Sequence, residues 1–203
     1  MTSSRFVLCL LLAEAAALAL LGNALPGSSP DATPHGSTFT IHVSKSGLFS
    51  GFAHNHVVVA PIAKSVLDPQ HMTAEIVVHT REMKVIDPGD SDSTRLEIQT
   101  TMLGPKVLNA EKYPEVRFKS ARIEQLAPEH YRVTGNLELH GAIKEISFEV
   151  SGSPGNYHGS TKLKQTDFGI EPVSIGGGTV KVKDVLDVEF DVYGEPPATG
   201  NHR

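Results

Sequence analysis

The chain has 203 residues, of which 39% are hydrophobic and 20% charged, and its formal net charge is -5. Those totals suit one globular domain with a core of its own. They argue against nucleic acid as a partner, which selects a clustered basic surface, and against any partner recruited by bulk charge.

The N-terminal stretch is MTSSRFVLCLLLAEAAALALLGNALPGSSP. Arg5 supplies a positive start, residues 6–21 form an apolar run broken by Glu14, and Gly22-Asn23-Ala24 offers small residues for cleavage. The pattern predicts a signal peptide over 1–24 and a periplasmic or secreted protein. Cys9, the only cysteine, leaves with that peptide, so the mature chain is expected to hold no disulfide, thiolate metal site or cysteine nucleophile. Residues 25–37 read as a flexible leader, 38–194 as one domain and 195–203 as a flexible tail.

Within the domain, period-two alternation dominates. Phe39, Ile41 and Val43 alternate with Thr40, His42 and Ser44. Strands are then expected over Leu48–Ala60, Thr73–Arg81 and Val116–Ile123, the last with a parity slip at Ser120 and Ala121 that predicts a bulge. Val133, Leu137 and Leu139 share one face of the next segment, and Ile146, Phe148 and Val150 share one face of another. Tyr157–Thr166 follows, and Val180–Val192 reads as one long strand with a dry face of Val180, Val182, Leu186, Val188, Phe190 and Val192. Turn signals separate these segments, among them His140-Gly141 and Gly176-Gly177-Gly178. The sum is an all-β, antiparallel set of about eight strands, and closure into a barrel removes its exposed edges.

One stretch departs from this pattern. In DSDSTRLEIQTTMLGP, Ser91 or Ser93 can cap a helix, Thr94 and Glu97 have capping-box spacing, and Gly104-Pro105 ends the run. A short helix is expected from Thr94 to Met102, with Leu96, Thr100 and Leu103 on one face, lying over a barrel mouth.

Three stretches then resemble the YceI-like family: EKYPEVRFKSARIE (111–124), VTGNLELHGAIKEISFEV (133–150) and TKLKQTDFGI (161–170). The resemblance covers roughly Ser37 to Tyr193. It implies a lipocalin-like barrel that holds a long polyisoprenoid chain, such as a quinone tail, in an apolar interior. The sequence differs from many members by carrying AHNH where they have a single histidine. A barrel of about eight strands can either fill its interior with side chains or hold one ligand. With no Trp, eight Phe and four Tyr, the inward faces are expected to be mostly Val, Leu and Ile. Burying one five-carbon isoprenoid unit would contribute on the order of 3 kcal/mol before ordering costs.

The candidate ligand-binding residues are Phe52, His54, His56, Phe118, Leu137, Leu139, Phe148 and Phe168, with Leu96, Met102 and Leu103 capping a mouth. His54 and His56, two apart in a strand, point to the same side. Three readings stand for them: wall residues first, ligand contacts second, metal ligands third. A metal would need a third donor, for which His79 and His140 qualify only by type. No cofactor is expected. No G-x-S-x-G or H-E-x-x-H occurs, and Asp167-Phe168-Gly169 lacks every other kinase element, so a carrier is expected rather than an enzyme. A His-based metal or haem protein, an enzyme acting on a bound lipid and a filled interaction module are the rivals. Partners expected are a long-chain isoprenoid lipid or quinone, with room for transient membrane contact and a homodimer.

Overall fold

The computed structural model describes residues 36–46, 55–68, 70–175 and 180–193. The segments expected to be a signal peptide and a tail, most of the expected leader and the 176–178 stretch lie outside the described residues, as do Phe52 and His54. The described residues hold twelve strands: β1 (Thr38–Val43), β2 (Lys45–Ser46), β3 (His56–Asp68), β4 (Thr73–His79), β5 (Lys84–Val85), β6 (Glu115–Ala127), β7 (His130–Leu139), β8 (Ala142–Ser153), β9 (Asn156–Lys164), β10 (Ser174–Ile175), β11 (Val180–Val182) and β12 (Val185–Tyr193). A helix, α1 (Asp92–Leu103), lies between β5 and β6.

Eight strands run antiparallel in the order β1-β12-β9-β8-β7-β6-β4-β3, and β3 pairs back onto β1. That last ladder closes the barrel and leaves none of the eight with a free edge. β5 adds a short rung on β3, while β10, β11 and β2 form a separate small sheet. The alternation seen in the sequence is the inside–outside pattern of the wall. In β12 Val188, Phe190 and Val192 are buried, while Glu189, Asp191 and Tyr193 are exposed. Opposite charges meet on the outer face, as in Lys119–Glu75 at 2.9 Å and Arg132–Glu149 at 2.9 Å. Such exposed pairs add little stability.

The predicted bulge in β6 is present between Ser120 and Arg122. His140 and Gly141, with φ of 52° and 78°, form the two-residue turn joining β7 to β8, where the twist demands positive φ at both positions.

Three expected elements are corrected. The strand expected over Leu48–Ala60 continues to Asp68. Its residues up to Pro61 pair with β1 and those from Ile62 pair with β4, so Pro61, which has no N–H to give, sits at the change of partner. The long strand expected over Val180–Val192 is divided, because Asp184 turns away to accept bonds from the Thr166 N–H (2.9 Å) and hydroxyl (2.7 Å). The helix begins at Asp92, two residues early, with Ser91 as the cap that accepts from the Thr94 N–H. Thr94 therefore sits inside the first turn and is not the cap itself.

Two apolar clusters divide the interior. One gathers Ile76, Val133, Val150, Phe190 and Val192, with Phe39, Phe118 and Phe148 packed against it. The other gathers Leu137, Phe168 and Ile170, with Leu108, Leu139 and Leu163, on the side of the barrel that α1 covers. Phe118 touches both.

Candidate functional site

The barrel encloses a cavity of about 780 Å³. That is toward the upper part of the roughly 300–1,000 Å³ span of small-molecule sites. Its wall is built from the inward residues of all eight strands and from the inner side of α1. All five phenylalanines among the described residues, Phe39, Phe118, Phe148, Phe168 and Phe190, line it. The apolar part of the lining is mostly Val, Leu and Ile, as expected, and these five rings are set among them. Four of these rings make a chain across the wall, with centroids 5.7 Å apart for Phe39–Phe190, 5.3 Å for Phe190–Phe148 and 5.4 Å for Phe148–Phe118.

Two glycines make that chain of rings fit. A Cβ on Gly159 would lie 2.5 Å from the Phe190 ring, and one on Gly135 would lie 2.7 Å from the Phe118 ring. Each ring folds over a glycine of a neighbouring strand, covering backbone that would otherwise face the bore.

Of the residues expected to contact a ligand, His56, Met102, Phe118, Leu137, Leu139, Phe148 and Phe168 line the cavity. Phe168, 2% exposed, is held in a 3-10 turn, Gln165–Phe168, that ends at Gly169 in the left-handed region (φ 70°). Its carbonyl accepts from His140 Nδ1 at 3.2 Å, so His140 ties the β7–β8 turn to this wall segment. Leu96 is a correction: it is 66% exposed on the outside of α1. Leu103 is half-buried but is not among the lining residues. Glu97, Ile98, Thr101 and Met102 face the cavity instead. The helix is too evenly polar for spacing alone to reveal its inner side. Its orientation is set by Gln99, whose Nε2 donates to the Met83 carbonyl (2.7 Å) and whose Oε1 accepts from the Val85 N–H (2.8 Å).

His56 opens β3 at the helix-covered side. Pairing of Val58 and Val59 with Val85 and Lys84, extended by the Ile86 N–H bond to the Val57 carbonyl (2.9 Å), brings Asp87 beside it. The Asp87 side chain is 6% exposed, and both its oxygens are engaged. Oδ2 accepts from His56 Nδ1 at 2.7 Å, and Oδ1 accepts from the Val57 N–H at 2.7 Å. Asp87 was absent from the expected site; 31 residues separate it from His56 and no local pattern links them.

His56, Asp87 and Asp90 bring ligand atoms within 4.8 Å of one another. The donor set fits a cation poorly. Both Asp87 oxygens are committed to hydrogen bonds, and Arg95 places its guanidinium on the same loop, donating to the Asp87 (3.0 Å) and Asp90 (2.5 Å) carbonyls. The donors expected from His79 and His140 are elsewhere: His79 Nδ1 is 3.2 Å from Glu82, and His140 is bonded to Phe168.

The family model for the YceI-like domain matches residues 32–193. The chain belongs to the YceI-like family. Among curated relatives, it is 28% identical over 108 residues to a UPF0312 protein of Azotobacter vinelandii (strain DJ), covering 48% of this chain and 56% of that one. It is 30% identical over 96 residues to a UPF0312 protein of Vibrio parahaemolyticus (serotype O3:K6), covering 42% and 51%. The chain spans about half the length of the curated relatives it matches. Among solved structures, Burkholderia cenocepacia BcnA shares the fold, with a TM-score of 0.58, 17% identity, and coverage of 78% of this chain and 96% of BcnA. The YceI-like barrel expected from the three sequence stretches is therefore the fold of this chain.

Proposed function

We propose that this protein is an exported carrier that holds one long apolar lipid, of the polyisoprenoid or isoprenoid-quinone class, inside its barrel. The observation that carries the reading is the hollow itself, about 780 Å³ enclosed by a wall in which aliphatic and phenyl groups predominate. A space of that size lined by such groups gains free energy for every methylene it takes from water, about 0.8 kcal/mol each. No fully buried side-chain nitrogen or oxygen among the described residues lacks a partner. Family membership favours an isoprenoid over other apolar chains. Export rests on the N-terminal pattern over 1–24.

The test is uptake of a fluorescent polyene lipid by delipidated protein. Saturable binding at one probe per chain is expected. Ile146→Trp, which places a large ring in the bore opposite Gly135, should cut uptake severely with the circular dichroism spectrum unchanged. Wild-type protein that takes up no probe would defeat the reading.

A further inference from the structure

We infer that the Asp87–His56 pair is a head-group reader that selects lipids ending in a hydroxyl over those ending in an ether or carbonyl oxygen. The inference rests on the lipid-carrier reading and concerns the polar end of that same cavity.

Three observations lead to it. His56 lines the cavity while its side chain is only 25% exposed. Its Nδ1 is 2.7 Å from Asp87 Oδ2, so the opposite ring edge, bearing Nε2, is the one left to the bore. Among the described residues, Nε2 has no hydrogen-bond partner.

The chemistry follows from what a carboxylate can do. Ionised Asp87 only accepts, so in a neutral imidazole the proton must sit on Nδ1. Nε2 then carries a lone pair and can only accept. The tautomer cannot relax, because Asp87 is itself held by the Val57 N–H and by a loop whose carbonyls Arg95 clamps. A carboxylate on the far nitrogen also makes Nε2 a better acceptor, as it does for metal-bound histidines. The wall is mostly apolar, with Lys45, Glu97 and Thr101 among the polar residues that also line it, and an acceptor whose direction is fixed rewards a guest carrying one donor. A prenyl alcohol, phenol or quinol has such a hydroxyl; a quinone or ether does not. Without the acceptor the order would reverse, since moving a hydroxyl out of water unpaired costs more than moving an ether. Asp87 is thus a positioning residue, and His56 is the group that touches the ligand.

The experiment compares geranylgeraniol with geranylgeranyl methyl ether, each titrated into delipidated full-length protein at about pH 8. Wild type should bind the alcohol about five- to tenfold tighter, the worth of one hydrogen bond. His56→Phe should bring the two affinities together or favour the ether. Asp87→Asn is the sharper variant. An asparagine that keeps its oxygen on the Val57 N–H turns its NH2 toward His56, which moves the ring proton to Nε2 and makes it a donor. The preference should then invert toward the ether, a change that simple loosening of the site would not produce. Equal affinities in wild type, or an Asp87→Asn variant that still prefers the alcohol, would overturn the reader. Failure of wild type to bind either compound would instead remove the carrier reading on which it rests.

Discussion

The two halves of the bore are built differently. One half is an aromatic wall: Phe39, Phe190, Phe148 and Phe118 stand in mutual contact around Ile76, Val133 and Val150, two of the rings folded over glycines. The other half, under α1, is mostly aliphatic around Phe168 and strapped by polar bonds: Gln99 to Met83 and β5, Arg95 to the Asp87 carbonyl, the Asp87 carboxylate to His56 and Val57, His140 to Phe168, and Asp184 to Thr166. Ring packing organises the interior of the first. Individual hydrogen bonds orient the second, and all the chemistry of the site lies there. Close packing tolerates no change in volume, whereas a strap can be cut one bond at a time.

That contrast can be broken from either side. The largest effect is expected at Phe190→Ala, which removes a ring 6% exposed that touches Phe39, Phe148 and Gly159. It should cost about 3–5 kcal/mol in urea unfolding. Gly159→Val should be comparably damaging, because the new Cβ meets the Glu149 carbonyl oxygen at 2.6 Å as well as the ring. Gln99→Ala leaves the Val85 N–H and the Met83 carbonyl without their partner. A loss of roughly 1–3 kcal/mol is expected. Hydrogen exchange should quicken in α1 and β5 and stay unchanged in β12; equal quickening in both would show that the halves are not separable.

Smaller effects sharpen the picture. The Thr166 N–H and hydroxyl hold the Asp184 carboxyl below the ordinary carboxylate range, and Lys119 does the same for Glu75. At acid pH the unfolded chain therefore binds more protons than the folded one. Stability from these groups is complete at neutral pH and is lost as pH falls through and below the carboxylate range. Asp184→Asn should flatten that acid slope in a series of melts between about pH 6 and 3. An unchanged slope would show that the Asp184 carboxylate does not strap Thr166. Least of all, Leu96→Ser should shift stability by no more than about 0.5 kcal/mol, because Leu96 faces solvent.

The aromatic half was legible in the sequence and the strapped half largely was not. Alternation is local, so the inward set Val188, Phe190 and Val192 could be read from β12 alone, and Phe118 and Phe148 from their own segments. The turn at His140-Gly141 and the bulge after Ser120 were legible for the same reason. What failed depended on distant partners. The apolar residues of α1 are spread around it, so Leu96 looked like a capping residue although Gln99 turns Ile98 and Met102 inward instead. Asp184 ended a strand that alternation alone would continue. Asp87, placed by a two-residue ladder on β3, carried no signal at all.

If the barrel is hollow in order to be filled by lipid, the lipid should travel with it. Native mass spectrometry of protein purified without detergent tests it most directly. The expected spectrum shows a species heavier than the polypeptide by one apolar lipid, which organic extraction removes and identifies as an isoprenoid, and which delipidated protein takes up again. A single mass equal to the bare chain, unchanged after incubation with prenyl alcohols and quinones, would contradict it.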